Sequence, residues 1–322
     1  MDLSVVIVNW NGLELLRKCL ASLPLAQKRL TMQVMVVDND SADGSREMVE
    51  KEFPQIELIN SGANLGFGKA NNLARSRVRS DLVLFLNPDT ELLENSLEPM
   101  VEFMRQHPDV GAVGCKMRYP NGEVHEQGIQ CFTSPWTEFM SLVFISKATR
   151  GRLRSFFPYL DPNQSGYVVK LYGGCLLCRK EVLEKVGWFD ERYFMYAEDV
   201  DLCREIVEAG WKLYYLSTAE IIHVAGGSSQ KAPSGFSILM KCESIAKLMN
   251  KHYGLLGACL YRVGTLCGCG LRLIALGILR LASWVSPLGR RTNFSDSFRK
   301  YRIMILWCLK LQQPPIPGRS RN

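Results

Sequence analysis

Residues 82–89 read LVLFLNPD, five apolar residues that run into Asn87-Pro88-Asp89, a turn carrying a single carboxylate. A short apolar run bounded by turn residues predicts a buried strand. Toward the N-terminus the same phrase recurs three times. Residues 4–9 (SVVIVN) predict a strand followed by Asn11-Gly12, residues 33–37 (QVMVV) one closed by Asp38-Asn39-Asp40-Ser41, and residues 56–59 (IELI) one closed by a Gly/Asn turn. Helical patterns lie between them. Leu13, Leu16, Leu20 and Leu23 mark a helix that stops at Pro24. A second, capped by Ser41 or Asp43, runs to about Phe53, and a third from about Gly66 to Arg77. Strands and helices alternating at this spacing predict an α/β fold with a mostly parallel sheet. Ligands of such sheets bind beyond the carboxyl ends of the strands. The polar clusters at 9–12, 38–43, 62–68 and 87–89 all fall there.

Beyond residue 90 the pattern loosens. Residues 94–106 predict a helix and 110–117 a strand, while 119–170 look irregular, as an insertion would. Leu171 to Cys178 is apolar with a Gly173-Gly174 break. A helix over about Asp199–Ala209 ends at Gly210, a suitable residue just past a C-cap, and strands follow at about 212–216 and 220–224. The expected organisation is one domain over residues 1–235, divided near residue 90, and a different segment over 236–322.

That last segment is basic and apolar. From Lys251 to Asn322 there are twelve Lys/Arg and one acid, Asp296, so it carries +11 against +7 for the whole chain, and residues 1–250 carry −4. Residues 253–288 are apolar but interrupted by Arg262, Arg272 and Arg280, so no run reaches the ~20 uncharged residues of a transmembrane helix. Arg262 and Arg280 are eighteen residues apart and would share a helix face. Basic-apolar helices lie in membrane interfaces, where each Lys or Arg adds about 1 kcal/mol of attraction to anionic lipid. A helical hairpin packed on the main domain or on another subunit has the same signature. The main body shows no basic-aromatic stripe, so nucleic acid is not an expected partner, and nothing points to an oligomeric state.

The chain has 322 residues, 47% of them hydrophobic and 22% charged, which suffices for an ordinary globular core. Met1-Asp2 leads directly into apolar residues without a basic flank, unlike a secretion signal. The eleven cysteines are scattered through apolar stretches and read as reduced, buried thiols. Cys175 and Cys178 supply only half of the four ligands a structural zinc needs, and Cys267 with Cys269 is looser still.

Several residues carry candidate chemistry. Asp38 can accept the N3–H of uracil or thymine, which adenine lacks, although a turn aspartate has the same local sequence. Asn64, Gly66 and Gly68 lie in NLGFGKANN, where glycines let backbone N–H groups approach a ribose or phosphate. Asp89 offers the single carboxylate that Mg²⁺ prefers beside phosphate oxygens. Asp199 or Glu198, at a helix start, could act as general base or simply complement the helix dipole. His223 ends a short strand, where a neutral imidazole can complete a metal shell or serve only the fold.

Six pieces in chain order, VVIVNWNG, VVDNDSADGS, NLGFGKANN, LFLNPDT, GWFDERYFMYAEDVDLC and HVAGGSS, resemble family 2 glycosyltransferases of the GT-A fold, with bacterial rhamnosyltransferases most similar. The resemblance runs from Val5 to about Ser229 and implies a Rossmann-like sheet and an inverting sugar transfer. On it Asp38 corresponds to the base-contacting aspartate, with Asn9, Asn64, Gly66, Phe67, Asn71 and Asn87 around the nucleotide-sugar. Asp89 corresponds to the last acid of a D-x-D metal motif, and Asn87 departs from that motif. Asp199 corresponds to the catalytic base, with Glu198 as the alternative, and His223 to a late ligand of Mg²⁺ or Mn²⁺ or of the diphosphate. Gly173, Gly174 and Trp188 would border the acceptor, and the 119–170 insertion would face it. The implied donor is dTDP-L-rhamnose and the implied acceptor a lipid-linked saccharide, used in cell-surface polysaccharide assembly. The enzyme would be cytoplasmic and peripheral on the inner face of the membrane. A UDP-hexose or UDP-galactofuranose donor, or nucleotide-sugar binding without catalysis, would use much of the same sequence. A pyrophosphorylase would want a Gly-rich, Arg/Lys-bearing first loop, which IVNWNG is not.

Overall fold

β1 (Leu3–Asn9), β2 (Met32–Asp38), β3 (Glu57–Asn60) and β4 (Leu82–Leu86) form a parallel block with spatial order β3-β2-β1-β4. The chain reverses direction across the sheet between β1 and β4, the switch point at which doubly wound sheets open a ligand crevice. The computed structural model describes residues 1–26, 29–94, 96–125, 130–144, 160–224, 235–282 and 294–313.

β1 is buried along its whole length, and its side chains alternate between two cores. Val5 and Ile7 join α1 (Leu13–Ser22), α2 (Ser45–Glu52) and α4 (Glu98–Gln106) on one face. Val6 and Val8 join α3 (Phe67–Asn72), α6 (Lys180–Val186) and α7 (Glu198–Glu208) on the other. Successive strand residues point to opposite faces, so a strand covered on both sides must be apolar throughout. That is why these strands read as unbroken hydrophobic runs. The same alternation places Cys175 in one core and Cys178 in the other. The two thiols of the C-x-x-C therefore cannot share one ion.

Beyond β4 the sheet is mixed. β8 (Cys175–Arg179) runs antiparallel between β4 and β6 (Val110–Arg118), and β9 (Lys212–His223) runs parallel to β6. β7 (Gly166–Val168) and β5 (Thr90–Leu92) pair antiparallel with β9. Four expectations change. The two strands predicted over 212–224 are one, carried past Ser217-Thr218 by a register shift opposite Cys115/Lys116. β5, three residues long, was not predicted. The third helix is short, followed by a 3-10 turn at Arg75–Arg77. The supposedly irregular 119–170 stretch contains α5 (Pro135–Phe144) and β7.

The chain divides into two compact units. Among the described residues the second comprises 132–144, 235–282 and 294–313, so part of the 91–235 region expected in the main domain belongs elsewhere. Its elements are α5, α8 (Phe236–Ala282, interrupted at Gly254) and α9 (Phe294–Cys308), with α5 and α9 both packed on α8. Trp307, 2% exposed, anchors this packing. Its indole N–H donates to Glu243 (3.2 Å), and the Arg262 guanidinium lies 4.1 Å over its ring. Arg272 donates to the Leu142 carbonyl, while Gly264 and Gly268 admit Phe139 and Leu142 close to the α8 backbone. Arg262 is therefore part of the helix packing, which corrects its expected place on a free basic face with Arg280. By length and composition Phe236–Arg280 could nonetheless cross a membrane despite its interrupting charges, and only 17% of its most apolar window is buried.

Candidate active site

The parallel register sets Asn9 beside Asp38 at the carboxyl ends of β1 and β2. The Ser41 hydroxyl accepts from Asn9 Nδ2 (3.2 Å) and from the Asn11 N–H (2.9 Å), and the Ser41 N–H donates to Asp38 Oδ2 (3.0 Å). Two acceptors are left over. Asn9 Oδ1 and Asp38 Oδ1 are buried without a partner among the described residues. An unpaired buried polar atom costs roughly 1–3 kcal/mol, so this end of the sheet is prepared for a donor-bearing ligand.

The loop after β3 closes on the same crevice. Asn39 donates to Asn64 Oδ1 (3.0 Å) and to the Gly66 carbonyl (3.2 Å), and accepts the Leu65 N–H (2.9 Å). Gly66 has φ 83°, and an added Cβ would lie 2.1 Å from the Phe194 carbonyl oxygen, so only glycine fits. Asn64 thus has its side-chain oxygen committed to loop shape, accepting also from the Gly66 N–H (3.1 Å). Phe67 packs edge-on against Phe189 and donates its N–H to Phe194. Asn71 keeps a buried, unpartnered Oδ1.

β5 decides the third group. Its pairing sets Thr90 opposite His223, and the Val224 N–H donates to the Asp89 carbonyl (2.9 Å). Asp89 Oδ1 consequently lies 3.1 Å from His223 Nε2 although 134 residues separate them. Asn87 Nδ2 lies 3.5 Å from the same Nε2. One imidazole nitrogen cannot donate to the carboxylate and accept from the amide together. With the amide turned over, Asn87 Oδ1 and Asp89 Oδ1 would both stand beside a deprotonated Nε2, an O,O,N donor set. Such a donor set suits Mg²⁺ or Mn²⁺, so the residues fit such an ion. His125, missed in the sequence, holds this group from behind: its Nε2 lies 3.2 Å from the His223 carbonyl, and its ring stacks on Tyr119. Only its rarity, one of four histidines, could have marked it.

The fourth group begins α7. Tyr196 and Ala197 both have φ 67°, left-handed backbone that costs non-glycine residues roughly 1–3 kcal/mol each. This strained entry presents Glu198 and Asp199. Asp199 accepts the Gly173 N–H (3.0 Å) and the Val200 N–H (2.8 Å), and burial raises its pKa. Gly173-Gly174 then leads to Asn87, whose N–H donates to the Gly174 carbonyl (3.0 Å). An added Cβ on Gly174 would lie 3.5 Å from His223 Cε1. The Cβ of Glu198 lies beside Gly68. Its Oε2 is buried and unpartnered, and burial followed by the Asp199 charge pushes its pKa up to about 8.

Asn87, Asp89, His223, Gly173, Gly174 and Asp199 are thus linked side by side, and Asn9, Asp38, Asn64 and Gly66 line the neighbouring strand ends. Trp188 is a correction. It is 3% exposed, packs edge-on against Phe85 and donates its indole N–H to Glu184 (3.0 Å), so it is a core residue and borders no acceptor.

Residues 4–187 match the model of Glycosyl transferase family 2. The chain belongs to that family and is a glycosyltransferase. It is 30% identical over 274 residues to the N-acetylglucosaminyl-diphospho-decaprenol L-rhamnosyltransferase of Mycobacterium tuberculosis, covering 78% of this chain and 85% of that one. It is 25% identical over 228 residues to the rhamnosyltransferase WbbL of Escherichia coli K12, covering 69% and 83%. Among solved structures, the Pyrobaculum calidifontis mannosyltransferase PcManGT, in complex with GDP-Man and Mn²⁺, superposes with TM-score 0.60 at 16% identity over 96% of this chain and 86% of that one. The fold of this glycosyltransferase is therefore GT-A.

Proposed function

We propose that this enzyme transfers L-rhamnose from dTDP-L-rhamnose, with inversion, to a saccharide carried on a lipid diphosphate in cell-surface polysaccharide assembly. The observation that carries the reading is the junction of Asp199 with the Asn87–Asp89–His223 group through Gly173-Gly174. It sets a base of raised proton affinity beside a diphosphate-binding group. The relatives named for rhamnose transfer, one of them to a diphospho-decaprenol carrier, support the donor and acceptor classes.

In the reaction the acceptor hydroxyl attacks the anomeric carbon as the bond from that carbon to the diphosphate oxygen breaks. The hydroxyl proton passes to Asp199, and dTDP leaves with the bonding pair. Half-buried Asp199 has its proton affinity raised by desolvation, while the Gly173 N–H fixes its orientation. Glu198 stays protonated at neutral pH and serves as a neutral neighbour of the base. Asp38 Oδ1 accepts the thymine N3–H, with Asn9, Asn64, Gly66, Phe67 and Asn71 shaping the nucleotide crevice. Asp89, His223 and Asn87 would hold Mg²⁺ or Mn²⁺. When bound, the ion neutralises charge that develops on the departing diphosphate.

The first compact unit supplies the chemistry, and the 236–322 segment holds the enzyme on the inner face of the cytoplasmic membrane. Leu255, Leu256, Leu260, Val263, Leu271, Ile274 and Ile278 are all exposed and fall within an arc of about 160° on α8 at 100° per residue. Tyr261, Arg262, Thr265, Cys269 and Arg272 occupy the opposite arc, where α5 and α9 pack. One apolar side open and one side packed is the geometry of a helix lying in an interface.

The test is release of nucleoside diphosphate by the full chain from dTDP-L-rhamnose, UDP-glucose, UDP-galactofuranose and GDP-mannose, each with Mg²⁺, Mn²⁺ or a chelator. We expect dTDP-L-rhamnose to be turned over at least tenfold faster than the others, and only with a metal. A faster UDP-sugar would overturn the donor assignment; equal rates in chelator would overturn the metal group.

A further inference from the structure

The second unit contains a groove of about 630 Å³ between α8 and α9, within the size range of small-ligand pockets. Leu273, Phe298, Ile303 and Leu306 line it with apolar side chains, and Arg299 and Arg302 line it as well. Both arginines are exposed, and neither has an ion-pair partner among the described residues. They are three apart on α9, hence neighbours on its surface. Elsewhere in this unit arginines are engaged: Arg262 lies over Trp307 and Arg272 holds the Leu142 carbonyl. Two arginines without an ion-pair partner among the described residues that line an apolar groove are complementary to an amphiphile with two adjacent anionic groups. Arginine recognises phosphate oxygens through paired N–H donors, and one phosphate per arginine matches a diphosphate better than a singly charged phosphodiester.

We propose that this groove binds a lipid diphosphate, with Arg299 and Arg302 on the two phosphates and the first isoprenoid units along Leu273, Phe298, Ile303 and Leu306. The inference rests on the lipid-linked acceptor of the proposed function, from which the class of ligand is taken. It also gives the open face of α8 a purpose, since a chain longer than the groove continues into lipid.

The test is calorimetric titration of the full-length protein in detergent with geranylgeranyl diphosphate, using geranylgeraniol and inorganic diphosphate as probes that lack the head group or the chain. Geranylgeranyl diphosphate is expected to bind at least tenfold tighter than either fragment. Arg299→Gln with Arg302→Gln should weaken it at least tenfold, as expected for the loss of charge-assisted hydrogen bonds. Leu273→Trp, which fills the trough without touching a charge, should weaken it as well, whereas Lys18→Gln on α1 should not. Unchanged affinity in both groove variants would overturn the proposal, as would inorganic diphosphate binding as tightly as the lipid. Displacement by an equal concentration of phosphatidylglycerol would also overturn it, by showing a general anionic-lipid surface. Donor turnover by the wild type separates the two readings. Groove binding without dTDP-L-rhamnose turnover upholds the groove and removes the rhamnose donor, whereas turnover with variant-insensitive lipid binding removes the groove alone.

Discussion

The two units handle polarity in opposite ways. In the first, polar atoms are kept dry: Asn9 Oδ1, Asp38 Oδ1, Asn71 Oδ1 and Glu198 Oε2 are buried with no partner among the described residues. In the second, apolar groups are kept wet, with Leu255 78% and Leu256 71% exposed along one side of α8. Either arrangement lowers the stability of an isolated chain, by about 1–3 kcal/mol for an orphaned acceptor and a similar amount for each large apolar side chain left in water. The orphans ask for hydrogen-bond donors at the strand ends, and the exposed leucines ask for an apolar partner. On the proposed function, that makes one unit incomplete toward a nucleotide-sugar and the other toward a membrane.

The sharpest way to break this comparison is at the dry end. Asp199→Asn keeps the size of the side chain and one of its two backbone contacts, to Gly173 or to Val200, while removing the proton acceptor, and should reduce turnover by roughly 10³-fold, within the range for a lost general base. Asp89→Ala should reduce turnover comparably and also abolish the metal dependence of donor affinity. Donor binding by titration separates the two, because Asp199→Asn should leave it within about twofold. If Asp199→Asn weakens donor binding as much as turnover, the residue positions the donor and the base is elsewhere.

How much of this was legible in the sequence depends on how local each signal is. β1 to β4 announce themselves because burial on both faces forbids polar residues, and their ends are marked by Asn, Asp and Gly. β5 has three residues and no periodicity to read, yet it makes the Asp89–His223 contact across 134 residues. The sequence suggested both residues as candidates but could not show that they touch. β9 was split because Ser217-Thr218 interrupts its pattern, and the register shift that carries the strand past them is a property of the partner β6. Trp188 was misplaced because an aromatic beside a functional motif looks the same whether it faces a ligand or the core. α8 was read from residue 253 because Lys241, Glu243, Lys247 and Lys251 dilute its first turns. Which side of it would be covered depends on α5, contributed from more than a hundred residues away.

At the wet end the expected effect is smaller and additive. Leu255→Gln with Leu256→Gln removes two of the most exposed apolar side chains of α8 without touching its packed side. Sedimentation with phosphatidylglycerol vesicles should show binding weakened by about tenfold or more, since each side chain is worth up to ~1.5–3 kcal/mol on full burial. Thermal stability in solution should be unchanged or slightly improved. Unchanged vesicle binding would mean that this side of α8 does not meet lipid.

The smallest effect returns to the dry end and concerns Glu198, whose pKa is raised from 4.5 to about 8, chiefly by burial and then by the charge of Asp199. Below pH 4.5 the carboxyl is protonated in both folded and unfolded chains, and its burial costs no charge. Between pH 4.5 and 8 the unfolded chain releases the proton while the folded protein keeps it, so stability falls with rising pH and levels off above about 8. Glu198→Gln removes this term, because an amide of the same shape never ionises. The variant should therefore gain on the wild type in melting temperature as pH is raised from 5 to 8.5, by at least a few degrees, at roughly 2–4 °C per kcal/mol. Turnover at pH 7 should stay within a few-fold, since the wild-type side chain is already neutral there and Asp199 keeps its own partners. A parallel pair of melting curves across this range would show that Glu198 is ionised in the folded protein. It would then be a second charge beside Asp199, competing with it for the proton.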